Sequence, residues 1–337
     1  MRIKVNNKII GDRSPVFVIA EIGTNHNGKL NLAMKMVDEA AKAGADAVKL
    51  QIVNVNESYV SASPSYDIFK KINLRFDALE KLKKASEEKG LVFFATAGDV
   101  SSLATIARLR IPIIKISSGC MTNVVLIRKI ARTGLPIVMS TGMSYLYEVR
   151  ETVAELEKHG ARKIAILHCV SSYPARHEEL NMNAIKVLQH TFKYPVGYSD
   201  HAQGNSASLV AVAIGARLIE KHFTLDKRLR GPDHRFSSDP RDLKDLVEGI
   251  RDIEKMMGRE IKRPSKSEMA SRNKLRRFLV FTRDLTNGAT ITKEDIGIKR
   301  FPGKRGLPPK WYDSIIGKRI VKDVGKDEPV RLSLIKQ

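Results

Sequence analysis

Pro195-Val196-Gly197-Tyr198-Ser199-Asp200-His201 is a short apolar run that stops abruptly in a hydroxyl, a carboxylate and an imidazole. One helical stretch later the same form returns as Leu218-Ile219-Glu220-Lys221-His222-Phe223. Each reads as a strand with an ionisable far end, which puts His201 and His222 at the same end of neighbouring strands. Further apolar runs lie outward from this pair, at Phe17 to Ile22, Ala47 to Ile52, Leu91 to Ala95, Ile113 to Ile116, Ile137 to Met139 and Ile164 to Leu167. Amphipathic helical patterns follow them, for example over 32–41 and 243–250, and glycines at 44, 90, 134 and 160 punctuate the helix ends. Continuous apolar strands alternating with helices imply a parallel sheet covered on both faces. Eight such units over about 250 residues predict a closed (β/α)8 TIM barrel rather than an open doubly wound sheet. No Gly-rich dinucleotide fingerprint follows the first strand and no P-loop occurs, which disfavours the nucleotide-binding alternatives.

The edges of the pattern define the domains. A small hairpin with an Asn6-Asn7 turn precedes the first barrel strand. After Met257-Gly258 the alternation stops, so residues 1–258 are expected to form the barrel and 259–276 a basic linker. Residues 277–337, with short strand-like pieces and clustered Gly and Pro, predict a small, mostly β module that must pack on something. The 42% apolar fraction supplies a core, and neither a membrane-spanning run nor a signal-peptide centre is present, so a soluble cytoplasmic protein is expected. Cys120 and Cys169 are too few and too scattered for a disulfide framework and read as reduced strand residues. The net charge of +22 is spread over helix faces with acids interleaved, which disfavours a nucleic-acid partner and suits a small anionic substrate.

In a barrel, polar residues at the carboxyl ends of the strands point into one mouth. In order those ends carry Glu21 and Asn25, Lys49 and Gln51, Thr96, Lys115 and Ser118, Ser140 and Thr141, His168 and Tyr173, Ser199 and His201, and Glu220 and His222. Lys49 and Lys115 interrupt apolar runs, where an uncompensated ammonium would be costly. Three readings follow: a structural ion pair with Glu21 or Glu220, an anion clamp completed by the hydroxyls, or a Schiff-base lysine. Two imidazoles on adjacent strands, each beside a carboxylate, suit a labile catalytic ion of the Mn type more than a closed structural site, although single histidines are commonly satisfied core residues.

The segments Ala20-Glu21-Ile22-Gly23-Thr24-Asn25-His26-Asn27-Gly28, Lys49-Leu50-Gln51, Ser140-Thr141-Gly142-Met143, Gly197-Tyr198-Ser199-Asp200-His201, Glu220-Lys221-His222-Phe223 and Gly231-Pro232-Asp233-His234 occur in one order. Together they make the chain resemble the N-acetylneuraminate (sialic acid) synthase family over nearly its whole length. The C-terminal module resembles the antifreeze-like SAF domain of those enzymes. The resemblance implies condensation of phosphoenolpyruvate with the aldehyde of an N-acylated amino sugar, dependence on Mn2+ or Mg2+, and a domain-swapped homodimer. By matching motif, Lys49, Thr96, Lys115, Ser118, Ser140 and Ser199 would hold phosphoenolpyruvate, and His201 and His222 would ligate the metal. Glu21 would act on protons and charge at the reacting centre, while Gln51, Tyr173 and Asp233 would face the sugar. Asp200 would orient a neighbouring group from behind. Rival readings are another barrel condensing enzyme or aldolase acting on a phosphorylated sugar, and a non-catalytic anion-binding or glycan-binding homologue.

Three departures from the family pattern stand out. Cys120 follows Ser117-Ser118-Gly119 where the family usually has an acid. Thr96-Ala97-Gly98 replaces a usual Thr-Pro, and residues 54–76 lack the usual substrate-loop wording. In the C-terminal module, Lys299-Arg300-Phe301-Pro302-Gly303 makes Arg300 the match for an arginine expected to reach the N-acyl group, with Arg305 as the alternative.

Overall fold

The computed structural model describes residues 1–300 and 306–336. It divides into two units, Met1–Gly258 and Arg259–Gln337.

The first unit opens with β1 (Arg2–Val5) and β2 (Lys8–Gly11), an antiparallel hairpin. Asn6 turns it in the left-handed region at φ 51°, which asparagine tolerates better than most residues. The strands β3 (Phe17–Glu21), β4 (Ala47–Ile52), β5 (Val92–Ala97), β6 (Ile114–Ile116), β7 (Ile137–Ser140), β8 (Ile164–Cys169), β9 (Val196–Asp200) and β10 (Leu218–His222) then close into a barrel. All are parallel, each pairs with its predecessor, and β10 returns to β3 with His222 opposite Glu21. This is the (β/α)8 barrel the alternation predicts. Several strands run further into their polar ends than the apolar runs suggested, because the ladder pairs the backbone through Asp200 and His222 regardless of side-chain polarity.

Helix burial follows the same logic. In Leu30–Lys42 the buried residues are Ala33, Met36, Val37 and Ala40, one stripe at helical spacing, and Gly44 at φ 83° lets the chain leave the helix. At the end of the barrel remote from the mouth, the Asp46 carboxylate accepts from Lys8 Nζ (2.8 Å), the Val18 amide (3.0 Å) and Arg251 (3.2 Å). That one carboxylate ties the hairpin, β3 and the last barrel helix, Pro240–Met257, together. Between β4 and the helix Phe76–Glu88 the chain inserts two helices, Val55–Ser58 and Pro64–Ile72. Among the described residues no helix is long and apolar enough to cross a membrane. Cys120 is not a strand residue as expected; it ends a 3-10 turn, Ser118–Cys120, after β6.

In the second unit, residues 259–276 are not the plain linker expected, because a helix spans Lys266–Leu275. Ser265 Oγ accepts the Glu268 amide (3.2 Å) and the Glu268 carboxylate accepts the Ser265 amide (2.7 Å), a capping box written in the sequence as Ser-x-x-Glu. Beyond it, β11 (Arg277–Phe281) pairs antiparallel with β12 (Ile296–Arg300) over a core that includes Leu279, Phe281, Ile291, Ile320 and Val330. Among its described residues the module holds one short helix, Tyr312–Ile315, besides 3-10 turns.

Asp295 fixes the turn before β12. Its buried carboxylate accepts from the Thr292 amide and hydroxyl (both 2.9 Å) and from Arg283 Nε (2.7 Å). Burial alone would raise its pKa, but these donors reverse the effect and hold it below the ordinary value. A carboxyl depressed on folding contributes stability that is complete above its unfolded pKa of about 4 and lost as pH falls through the folded value. Asp295→Ala is expected to cost the module about 1–3 kcal/mol. Hydrogen exchange across β11 and β12 at neutral pH, compared with pH 3, measures the loss and its pH dependence.

Candidate active site

A cavity of about 590 Å3 occupies the carboxyl-end mouth of the barrel. Its floor is a chain of alternating charges. Glu21 on β3 meets the Lys49 ammonium on β4. Lys49 Nζ also lies 3.7 Å from Glu220 Oε2, and Lys115 Nζ lies 3.3 Å from Glu220 Oε1. All four side chains are buried. They face one space because each is an inward position of its strand, while neighbours such as Val48 and Lys221 face the helices.

Hydroxyls complete the floor. Lys49 donates to Thr96 Oγ1 (3.2 Å), Lys115 to Ser140 Oγ (2.7 Å), and Ser199 Oγ to Glu220 Oε1 (3.0 Å). Ser118 Oγ accepts the Gly142 amide at 3.0 Å. Burial, reinforced by the charge on Lys115, pushes Lys49 down to about 7 although Glu220 opposes the shift. Burial would raise Glu220, but the two ammonium groups and the Ser199 hydroxyl overcome it and hold the carboxyl below its ordinary range.

The histidine rings stand beside this floor with centroids 5.3 Å apart. His201 Nδ1 lies 2.7 Å from the Val170 carbonyl and donates to it, so in the neutral ring the lone pair is on Nε2; burial would lower the pKa of this ring, but Cys169 and the Val170 carbonyl raise it above the ordinary value. The Cys169 thiol is 3.7 Å from the same Nδ1. Burial and the neighbouring cations push His222 well below its ordinary pKa, so its ring is neutral, and its Nδ1 lies 3.6 Å from Asp233 Oδ2. Asp233 also accepts the Thr24 hydroxyl at 2.7 Å. Tyr173, about half exposed, lays its ring 4.1 Å from that of His201, and Gln51 lines the same cavity.

The mouth therefore gathers Glu21, Lys49, Gln51, Thr96, Lys115, Ser118, Ser140, Tyr173, Ser199, His201, His222 and Asp233. Arg300 belongs to the second unit, exposed at the end of β12, and Arg305 lies outside the described residues. Three strand-end residues expected at the mouth are turned elsewhere: Asn25 donates to the Phe223 carbonyl, Thr141 to the Leu167 carbonyl, and His168 Nε2 meets the Leu180 carbonyl. Strand alternation puts Cys169, one residue past His168, into the cavity instead. Glu220, expected both at the mouth and as an ion-pair partner of the lysines, is found in both roles; its position two residues before His222 places it on the same inner face.

Three comparisons with known proteins bear on this arrangement. The NeuB family model matches residues 36–262 and the SAF domain model matches residues 276–336. The chain belongs to the NeuB family. The N,N'-diacetyllegionaminic acid synthases of Campylobacter jejuni and Legionella pneumophila are each 38% identical to it, over 93% and 94% of this chain and 98% and 94% of theirs. A crystal structure of N-acetylneuraminic acid (sialic acid) synthetase from Leptospira borgpetersenii in complex with citrate superposes with a TM-score of 0.77 at 37% identity. It covers 82% of this chain and 97% of that one. The protein is thus an enzyme of the acid-synthase type, which forms carbon–carbon bonds, built as a TIM barrel with a SAF domain.

Behind the NeuB mouth, Asp200 and Lys221 form a second buried ion pair on the outward faces of β9 and β10. Lys221 Nζ donates to Asp200 Oδ2 (2.9 Å) and to the carbonyls of Ala202 (2.6 Å) and Gly204 (2.9 Å). Asp200 therefore does orient a neighbour, but the neighbour is Lys221 and the backbone after His201. Lys221→Met removes the counter-charge of a buried carboxylate, which keeps only the Ala202 amide (2.8 Å) and the Ser208 hydroxyl (2.6 Å), and strips two carbonyls of their donor, at an expected cost of about 3–5 kcal/mol. Urea denaturation should show that loss, with part of it recovered in Lys221→Met combined with Asp200→Leu.

Proposed function

We propose that the protein condenses phosphoenolpyruvate with the open-chain aldehyde of an N-acyl amino sugar, N-acetylmannosamine or a related sugar, giving a nonulosonic acid and phosphate. The observation that carries this reading is the meeting of two lysines, four hydroxyls and two imidazoles at one mouth. In their midst Glu21 Oε1, Glu220 Oε2 and His222 Nδ1 are buried without a hydrogen-bond partner. Buried polar atoms without partners are costly, and clustered ones point to a polar ligand.

The residues also fit a divalent ion. Among the described residues no group of three or more His, Cys, Asp or Glu converges as a ligand set. Two imidazoles, one with its Nε2 lone pair free of the Val170 contact and the other held neutral, would leave most coordination positions to oxygen, as an open catalytic site does. Held by His201 and His222, Mn2+ or Mg2+ would supply Lewis acidity toward the aldehyde oxygen.

The charges of Glu21, Lys49, Glu220 and Lys115 cancel, so the floor receives a multiply charged anion only if positive charge accompanies it. In this reading Lys115 with Ser140 and Ser118, and Lys49 with Thr96 and Ser199, hold the phosphate and carboxylate of phosphoenolpyruvate. The methylene carbon bonds to the aldehyde carbon, and the former enol carbon becomes cationic. Glu21 stabilises that charge and positions the water that adds there, before the carbon–oxygen bond to phosphate breaks. Gln51, Tyr173 and Asp233 face the sugar at the rim. We assign Arg300 to the N-acyl group, within a domain-swapped homodimer acting in the cytoplasm. The Lys49 pKa of about 7 supports a second reading, a Schiff-base aldolase, which borohydride trapping of Lys49 would reveal.

Phosphate release from phosphoenolpyruvate, with Mn2+ and a panel of N-acyl hexosamines, tests the synthase reading. Turnover that requires both sugar and metal is expected; no turnover with any aldose refutes it. His222→Ala should reduce metal-dependent turnover by more than about 100-fold while circular dichroism stays native. Unchanged activity at limiting Mn2+ would remove His222 from the metal site.

A further inference from the structure

Three stretches that depart from the family pattern, residues 54–76, Ala97-Gly98 and Cys120, are scattered in the sequence and come together as one wall of the mouth. Tyr59 and Phe69, from the inserted helical segment, stack with centroids 5.5 Å apart and planes at 17°. Gly98 lets that segment close in, since a Cβ there would stand 3.0 Å from Val53 Cγ2. Cys120 donates its thiol to the Gly98 carbonyl at 3.7 Å. Asp99 straps the segment down by accepting the Asn54 amide (2.6 Å) and the Ser58 hydroxyl (2.8 Å). These contacts hold the three stretches together.

Its position follows from the strand order. In the closed ring β10-β3-β4-β5-β6-β7-β8-β9, β5 lies opposite β9 and β6 opposite β10. Gly98 follows β5 and Cys120 follows β6, whereas His201 follows β9 and His222 ends β10. In the synthase reading, an acceptor with its aldehyde at the histidines would extend across the mouth and bring its far carbon toward this wall. The residues of this wall that line the cavity, among them Tyr59, Ile68, Phe69 and Cys120, are uncharged. Lys49 and Lys115 are the cations lining the cavity among the described residues, and both are committed at the floor. A phosphate against Tyr59, Phe69 and Cys120 would lack a cation, and a hydroxyl would find the Cys120 thiol and the Ser58 hydroxyl already engaged, with only the hydroxyls of Tyr59 and Ser65 to meet it.

We propose that this wall sets acceptor specificity, taking a deoxy, methyl-terminated far end in preference to a hydroxymethyl or phosphorylated one. The inference rests on the synthase reading above. Its test uses N-acetylmannosamine, the 6-deoxy analogue and the 6-phosphate, which differ only at the far carbon, with phosphoenolpyruvate and Mn2+. The wild-type kcat/KM should favour the 6-deoxy sugar by about 10- to 100-fold over the 6-hydroxyl sugar, and by more over the phosphate. Cys120→Arg should raise kcat/KM for the 6-phosphate at least about 10-fold relative to the 6-deoxy sugar, by bringing a cation to the wall, with the KM for phosphoenolpyruvate little changed. Equal or reversed preference in the wild type overturns the proposal, as does a folded Cys120→Arg with an unaltered ratio. Should that variant not fold, the wild-type series decides alone. Turnover with a flat preference sinks only the wall, whereas no turnover of any of the three sugars sinks the synthase reading and the wall with it.

Discussion

The buried sequence Glu21, Lys49, Glu220, Lys115 is the constraint on which the mouth depends. Two acids and two lysines in a barrel interior are tolerable only because opposite partners alternate, and because Thr96, Ser140 and Ser199 take up further hydrogen-bonding capacity. Replacing one member would leave its neighbour charged and alone, which is why the group acts as a unit. The alternation needs inward positions on β3, β4, β10 and β6, so closure of the ring by pairing β10 with β3 is a condition for it. An open sheet would separate Glu220 from Glu21 and leave Lys49 with half its compensation.

The same neutrality bears on chemistry. A floor that is balanced before substrate arrives has no net attraction for an anion, and its lysines can bind one only by sharing their partners. Lys49 registers this tension: burial and Lys115 lower its pKa while Glu220 raises it.

Much of this was legible in the sequence because strands and helices impose different periods. The eight apolar runs and the glycine-ended helices are local signals, and the barrel follows from counting them. Lys49 and Lys115 stand out because a charge in an apolar run needs an explanation. The assignments at Thr141 and His168 fell on the wrong side because at a strand end one residue of register decides which face a side chain takes, and that at Asn25 because it lies past β3 in a turn, where strand alternation no longer applies. The helix Lys266–Leu275 was passed over because it buries nothing among its described side chains, so no apolar periodicity marks it, and only the Ser265/Glu268 cap does. The convergence of residues 54–76, 98 and 120 could not be read at all, since it depends on where an inserted segment lands in space.

Alternation also explains how the site is held. On β9, Ser199 and the following His201 face the mouth, and Asp200 between them faces away; on β10, Glu220 and His222 face in and Lys221 faces out. The inward residues carry the chemistry, and the outward pair, Asp200 and Lys221, grips the carbonyls of Ala202 and Gly204 just beyond His201. A strand built this way cannot shift by one residue without exchanging its reactive groups for its supports. The Tyr198-Ser199-Asp200-His201 stretch therefore fixes its own register, and the position of His201 is set by an ion pair that never touches the cavity.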